Sequence, residues 1–138
     1  MQFSMSLIVS GVALTCVVGG ASMAQSTPKG GNPEAAKIAN QVATTPESIA
    51  AGRDVYVRVC AGCHGANGDG RGKAASEYGK KPADLTRAAL IYGSTDGEVH
   101  DVIKNGVLPD LFMPAWEGQL SETDIWNVVN YLRTLRQK

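Results

Sequence analysis

Apolar residues recur at helical spacing in three separate stretches of this 138-residue chain. Thr45-Pro46-Glu47 opens the first. A hydroxyl ahead of a proline and an acid is a usual helix start, because it satisfies a free N–H, presets φ and faces the positive end of the helix dipole. Ile49, Gly52, Tyr56 and Val59 then fall three and four apart, giving an apolar face with a notch at Gly52 where another backbone can come close. Thr95-Asp96-Gly97-Glu98 has the form of a capping box and leads into Val99, Val102 and Ile103, with Gly106 as the stop. Ser121-Glu122-Thr123-Asp124 caps the last stretch, where Ile125, Val128, Val129, Leu132 and Leu135 share a face beside Trp126 and Tyr131. Arg133, Arg136 and Lys138 gather at its negative end. This helix is predicted to cross the first, and a shorter apolar helix is predicted between Pro82 and Tyr92.

The N-terminal part has a different pattern. Residues 7–18 form an apolar run and Ser22-Met23-Ala24 offers small residues where a signal peptidase cuts, so residues 1–24 are expected to be a signal peptide and the protein to be exported to the periplasm. The run is shorter than the roughly 20 residues a bilayer requires, and no stable membrane span is expected after cleavage. Cys16 falls inside this leader, and Ala13-Leu14-Thr15 before it is a poor match to a lipid-attachment site. Residues 25–44 start with Ser, Thr, Pro, Gly and Asn and gain short helical character only near 34–42. They are expected to be a flexible extension, with the folded domain occupying 45–138.

The chemistry sits at the end of the first helix, in Cys60-Ala61-Gly62-Cys63-His64. Two thiols at this spacing can each add to a vinyl group of one haem, while the adjacent His offers an imidazole nitrogen to the iron. A redox-active C-x-x-C would lie near a βαβ pattern, and none follows. Structural zinc requires four ligands, and Cys16 and His100 are the only other Cys or His. A plain disulfide would close a very small loop and leave His64 unexplained. One haem c, covalently bound through Cys60 and Cys63 with His64 on the iron, is the reading that uses all three residues.

Composition narrows the partners. Thirteen basic and thirteen acidic side chains balance, so no polyanion partner is implied and nucleic acid is excluded as a target. With two Phe and two Trp the core is small, and a largely apolar macrocycle would supply much of the missing buried surface. The polar run after His64, with Gly65, Gly68, Gly70 and Gly72 among Asn67, Asp69, Arg71 and Lys73, lacks the preceding strand of a phosphate cradle and the ligand series of a calcium loop.

Leu111-Phe112-Met113-Pro114 is the second informative stretch, since Met113 is the one Met left after removal of the leader. A thioether is a soft neutral ligand that raises the potential, and Pro114 stiffens the connection that carries it. Met113 is therefore expected as the sixth ligand. His100, between Glu98 and Asp101, is expected to be a solvated surface residue.

From about residue 48 to 135 the chain resembles a monohaem class I cytochrome c, close to the bacterial branch typified by cytochrome c subunits of cbb3-type oxidases. The resemblance implies a small all-α fold with helices wrapped around one covalently attached haem. Gly52 and Tyr56 match the first-helix glycine and aromatic that meet the last helix at Val128 and Tyr131. Cys60, Cys63, His64 and Met113 match the attachment and axial residues. Pro82 matches the proline whose carbonyl accepts the imidazole N–H. A single-electron carrier, not an enzyme, follows from filled axial positions, with a periplasmic dehydrogenase, cytochrome complex or terminal oxidase as redox partners. The alternatives are a haem subunit permanently docked on a periplasmic dehydrogenase or oxidase, and a gas-binding sensor or haem enzyme with a labile Met ligand.

Overall fold

A computed structural model describes residues 26–79, 81–109 and 112–136. The expected leader, Leu111 and Lys138 lie outside the described residues. Four α-helices follow in chain order: α1 (Pro46–Val59), α2 (Ala61–His64), α3 (Asp96–Asn105) and α4 (Glu122–Leu135). Short 3-10 helices occupy Ala35–Lys37 and Lys73–Tyr78. Apart from one isolated bridge between Glu117 and Leu120, the described residues form no strand, and the fold is all-α.

The three long helices start where their caps place them. Thr45 Oγ1 accepts from Ser48 N–H at 3.2 Å while Ser48 Oγ accepts from Thr45 N–H at 3.0 Å. Thr95 with Glu98 and Ser121 with Asp124 repeat this reciprocal arrangement, so two of the four orphan donors at each helix start are satisfied. Helix α3 ends at Gly106, whose φ of 72° favours glycine.

Helices α1 and α4 pack directly against each other. Gly52, Val55 and Tyr56 are buried on α1, with Ile49 and Val59 at the edges of the contact. They meet Ile125, Trp126, Val128, Val129, Tyr131 and Leu132 of α4 in one cluster that also takes Val99 and Ile103 from α3 and Cys60 from the end of α1. The Tyr56 and Tyr131 rings lie 5.2 Å apart, tilted at 56°, within the centroid range of favourable aromatic pairs.

Two expectations, the helix between Pro82 and Tyr92 and a solvated His100, are corrected. Between Pro82 and Tyr92 there are turns and no helix. Asp84 Oδ1 takes the N–H and hydroxyl of Thr86, and Ser94 Oγ takes the N–H of Leu90 at 2.8 Å, so side chains replace the carbonyls a helix would have used.

Residues 26–44 are packed along the domain. Thr27 N–H donates to Leu108 O and Gly30 N–H to Ile91 O. Ala35 is buried, and its carbonyl lies so close to Gly97 that a Cβ there would collide with it. Asn130 on α4, fully buried, donates to the carbonyls of Val42 and Ala43 and accepts from Asn40 and Thr44. A buried amide is stable only with its hydrogen bonds made, and here the segment before α1 makes them.

His100 is buried as well, 8% exposed. Its ring stacks on Trp126 at 4.0 Å and its Nε2 lies 2.8 Å from Glu122 Oε2.

Candidate haem-binding site

Helix α1 runs into the C-x-x-C-H turn almost without a break. Cys60 N–H closes on Tyr56 O at 2.8 Å, and His64 N–H on Cys60 O at 2.9 Å, so Cys60 caps the end of α1 and Cys63 and His64 ride on the short α2 that follows it. The loop after it folds back over this turn: Gly70 N–H donates to His64 O at 2.8 Å and Gly72 N–H to Cys63 O at 3.0 Å. A Cβ on Gly72 would collide with the Gly62 carbonyl. The glycines of this run thus permit backbone to lie on backbone.

Cys60 and Cys63 are free thiols, the first buried and the second half-buried. Burial, with Cys63 nearby, pushes the Cys60 thiol up to about 12, so it stays protonated and is a poor attacking group for disulfide exchange. Among the described residues no group of three or more His, Cys, Asp or Glu converges as a metal cluster.

His64 Nδ1 lies 3.1 Å from the carbonyl oxygen of Ala83. A carbonyl can only accept, so Nδ1 carries the proton and the neutral ring keeps its lone pair on Nε2. Burial lowers the His64 pKa, against the opposing pull of the Ala83 acceptor, which favours that neutral form. The sequence expectation named the Pro82 carbonyl here, and the structure corrects it by one residue. The Pro82 oxygen instead lies over Gly70, 2.7 Å from where a Cβ would stand, and the Ala83 oxygen, 3.4 Å from the same point, is the one that reaches the ring.

Met113 lies in the connection between α3 and α4. Its carbonyl accepts from Val107 N–H at 2.9 Å, and Trp116 N–H reaches back to Ile103 O at 3.1 Å, so this connection is closed onto the end of α3. The Met113 side chain is half-buried. His100, by contrast, has its ring engaged by Trp126 and Glu122. Beside the C-x-x-C-H turn a groove of about 590 Å³ is lined by Arg71, Lys73 and Lys81 together with small residues and no carboxylate.

Sequence reasoning missed Ala83, since no residue type marks a backbone carbonyl. It also missed the Tyr56 hydroxyl, which donates to Gly65 O at 2.7 Å.

The family model for cytochrome C oxidase, cbb3-type, subunit III matches residues 47–132. The chain belongs to this family. It is a cytochrome c domain of the electron-transfer, haem c-binding type, and the two thiols of Cys60 and Cys63 with the His64 imidazole described above fit that group. The cbb3-type cytochrome c oxidase subunit FixP of Azorhizobium caulinodans is 36% identical over 84 residues, 61% of this chain and 26% of FixP. The subunit CcoP of Azospirillum brasilense is 30% identical over 96 residues, 70% of this chain and 31% of CcoP. The chain therefore spans about a third or less of these relatives' length. A chain of the Kuenenia stuttgartiensis reducing HAO-like protein complex superposes with a TM-score of 0.65 at 27% identity, covering 74% of this chain and 49% of that one. Among the described residues no helix is long and apolar enough to cross a membrane.

Proposed function

We propose that the protein is a periplasmic single-electron carrier and not an enzyme. It holds one haem c through thioethers to Cys60 and Cys63, with His64 and Met113 as the low-spin axial pair. The observation that carries this reading is the bond between His64 Nδ1 and Ala83 O, which orients the ring, leaves Nε2 as the donor and makes it a stronger one. Bound there, haem would supply a one-electron Fe(III)/Fe(II) couple, its electron taken from a reduced donor protein and given to an oxidised acceptor.

The chain's own residues do the rest. Cys60 and Cys63 fix the attachment on a turn held by Gly70 and Gly72. Met113 offers a neutral, soft donor that favours the reduced state. Arg71, Lys73 and Lys81 border the same turn and suit an acidic patch on a periplasmic dehydrogenase, cytochrome complex or terminal oxidase. The placement in the periplasm rests on the leader in residues 1–24.

A second reading, a haem subunit permanently docked on such an enzyme, is favoured by the names of the relatives, which are oxidase subunits. The full chain expressed in a bacterium with haem-attachment machinery separates the two. A carrier is released free by osmotic shock with haem that survives denaturing electrophoresis. A docked subunit co-purifies with its enzyme in fixed ratio. Haem lost on denaturation overturns both.

A further inference from the structure

We propose that Tyr56 is a positioning residue for His64, acting through its hydroxyl and not only through its ring. This role rests on the reading of His64 as an iron ligand. Tyr56 is fully buried on α1 and its ring already has a packing partner in Tyr131, a contact that Phe would make equally well. What distinguishes Tyr is the hydroxyl, which donates to the Gly65 carbonyl at 2.7 Å.

That carbonyl belongs to the residue directly after His64, at the point where the chain leaves α2. Gly65 N–H still closes on Ala61 O at 2.9 Å, but its φ of 80° turns the chain out of the helix, so helix bonding does not define the direction of its carbonyl. On the N-terminal side His64 is fixed by its N–H on Cys60 O. Its ring is fixed by Ala83 O. The two carbonyls on the C-terminal side are held by Gly70 N–H on His64 O, Gly68 N–H on Gly65 O at 3.1 Å, and Tyr56 on Gly65 O. Of these three donors only Tyr56 comes from a long helix. The Gly68 and Gly70 bonds come from the loop itself and move with it. The hydroxyl therefore ties the His64 turn to the α1 and α4 frame. Burial, with Cys60, Tyr131 and Asp69 adding to it, raises the Tyr56 pKa, so the phenol remains a donor.

Tyr56→Phe in the haem-loaded full chain tests this. Gly65 O keeps its bond from Gly68, so the variant leaves no bare carbonyl and should fold. Expected are a changed set of g-values for the oxidised protein, which report ligand orientation, and shifted or doubled His64 ring resonances in the paramagnetic NMR spectrum. Tyr131→Phe, which removes a hydroxyl from the same aromatic contact, should leave both unchanged. A lower melting temperature with unaltered g-values and His64 resonances overturns the proposal, as does an equal change in Tyr131→Phe. Wild-type protein whose His64 resonances are unshifted by iron overturns the haem reading itself, and this role with it.

Discussion

Gly52 on α1 and Asn127 on α4 meet backbone to backbone: a methyl group built on Gly52 would collide with the Asn127 carbonyl and crowd the N–H of Val128. Neither atom belongs to a flexible side chain, so the helices themselves would have to separate. Gly52→Ala gains about 0.5–1 kcal/mol of helix propensity, but forcing a packed interface apart costs about 1–3 kcal/mol and occasionally more. The net expectation is destabilisation, read as a lower urea midpoint. An unchanged or raised midpoint would show that α1 and α4 can slide apart without loss.

The thiol pair can be tested through covalency. Cys60→Ala with Cys63→Ala should give protein that fails to retain haem through denaturation and folds poorly, since Cys60 lies in the core cluster and the apolar macrocycle, on the proposed reading, would supply much of the remaining buried surface. A helical apoprotein melting cooperatively at the wild-type temperature contradicts this.

Met113→Ala should abolish the weak near-infrared sulfur-to-iron band of the oxidised protein and lower its potential. Met113→His should keep the iron low-spin and lower the potential, within the roughly 0.8 V range that axial ligands span. The control is His100→Ala, which should leave both unchanged, because the His100 ring is stacked on Trp126 and bonded to Glu122. The opposite pattern would make the protein a bis-His cytochrome.

A carrier with both axial positions filled should bind carbon monoxide poorly at neutral pH. With Arg71, Lys73 and Lys81 flanking the attachment turn, its reaction with an acidic redox protein should slow as salt rises. Rapid stoichiometric carbon monoxide binding would favour a sensor or enzyme, and salt-independent rates would remove the basic rim from the docking surface.

Glu98 gives a pH dependence. Its buried carboxylate would be raised by burial, but the N–H and hydroxyl of Thr95 and the N–H of Ser94 outweigh that and hold its pKa below the usual value. Lower in the folded than in the unfolded state, it contributes stability that is complete above an unfolded pKa near ~4.3 and is lost as pH falls through the folded value. Glu98→Gln should cost about 1 kcal/mol at neutral pH, and the gap to wild type should close in urea titrations carried below pH ~4. A gap that is constant with pH would assign the effect to shape alone.

Much of the frame was legible because its signals are local. A cap and its third residue lie within one turn, so Thr95 with Glu98 and Ser121 with Asp124 could be read directly. The notch at Gly52 and the aromatic at Tyr56 were legible as one face of a helix. The solvent exposure expected of His100 failed because its charged neighbours in sequence are not its neighbours in space: Trp126 and Glu122 arrive from another helix. The helix expected between Pro82 and Tyr92 failed because Asp84 and Ser94 capture the backbone N–H groups it needed.

The sequence by itself determined that two thiols and an imidazole share one turn at the end of the first helix, because their spacing is written in neighbouring residues. It also determined the three long helices, whose caps and apolar faces are written in neighbouring residues. Only the tertiary structure decided which carbonyl holds His64, since Pro82 and Ala83 are neighbours in sequence and the path of the chain past Gly70 sets which of their oxygens reaches the ring. It alone bound residues 26–44 to the domain. That attachment runs through Asn130, nearly ninety positions away from Asn40, Val42, Ala43 and Thr44, and hydrogen bonds across such a separation form only after α1 and α4 have brought their ends together.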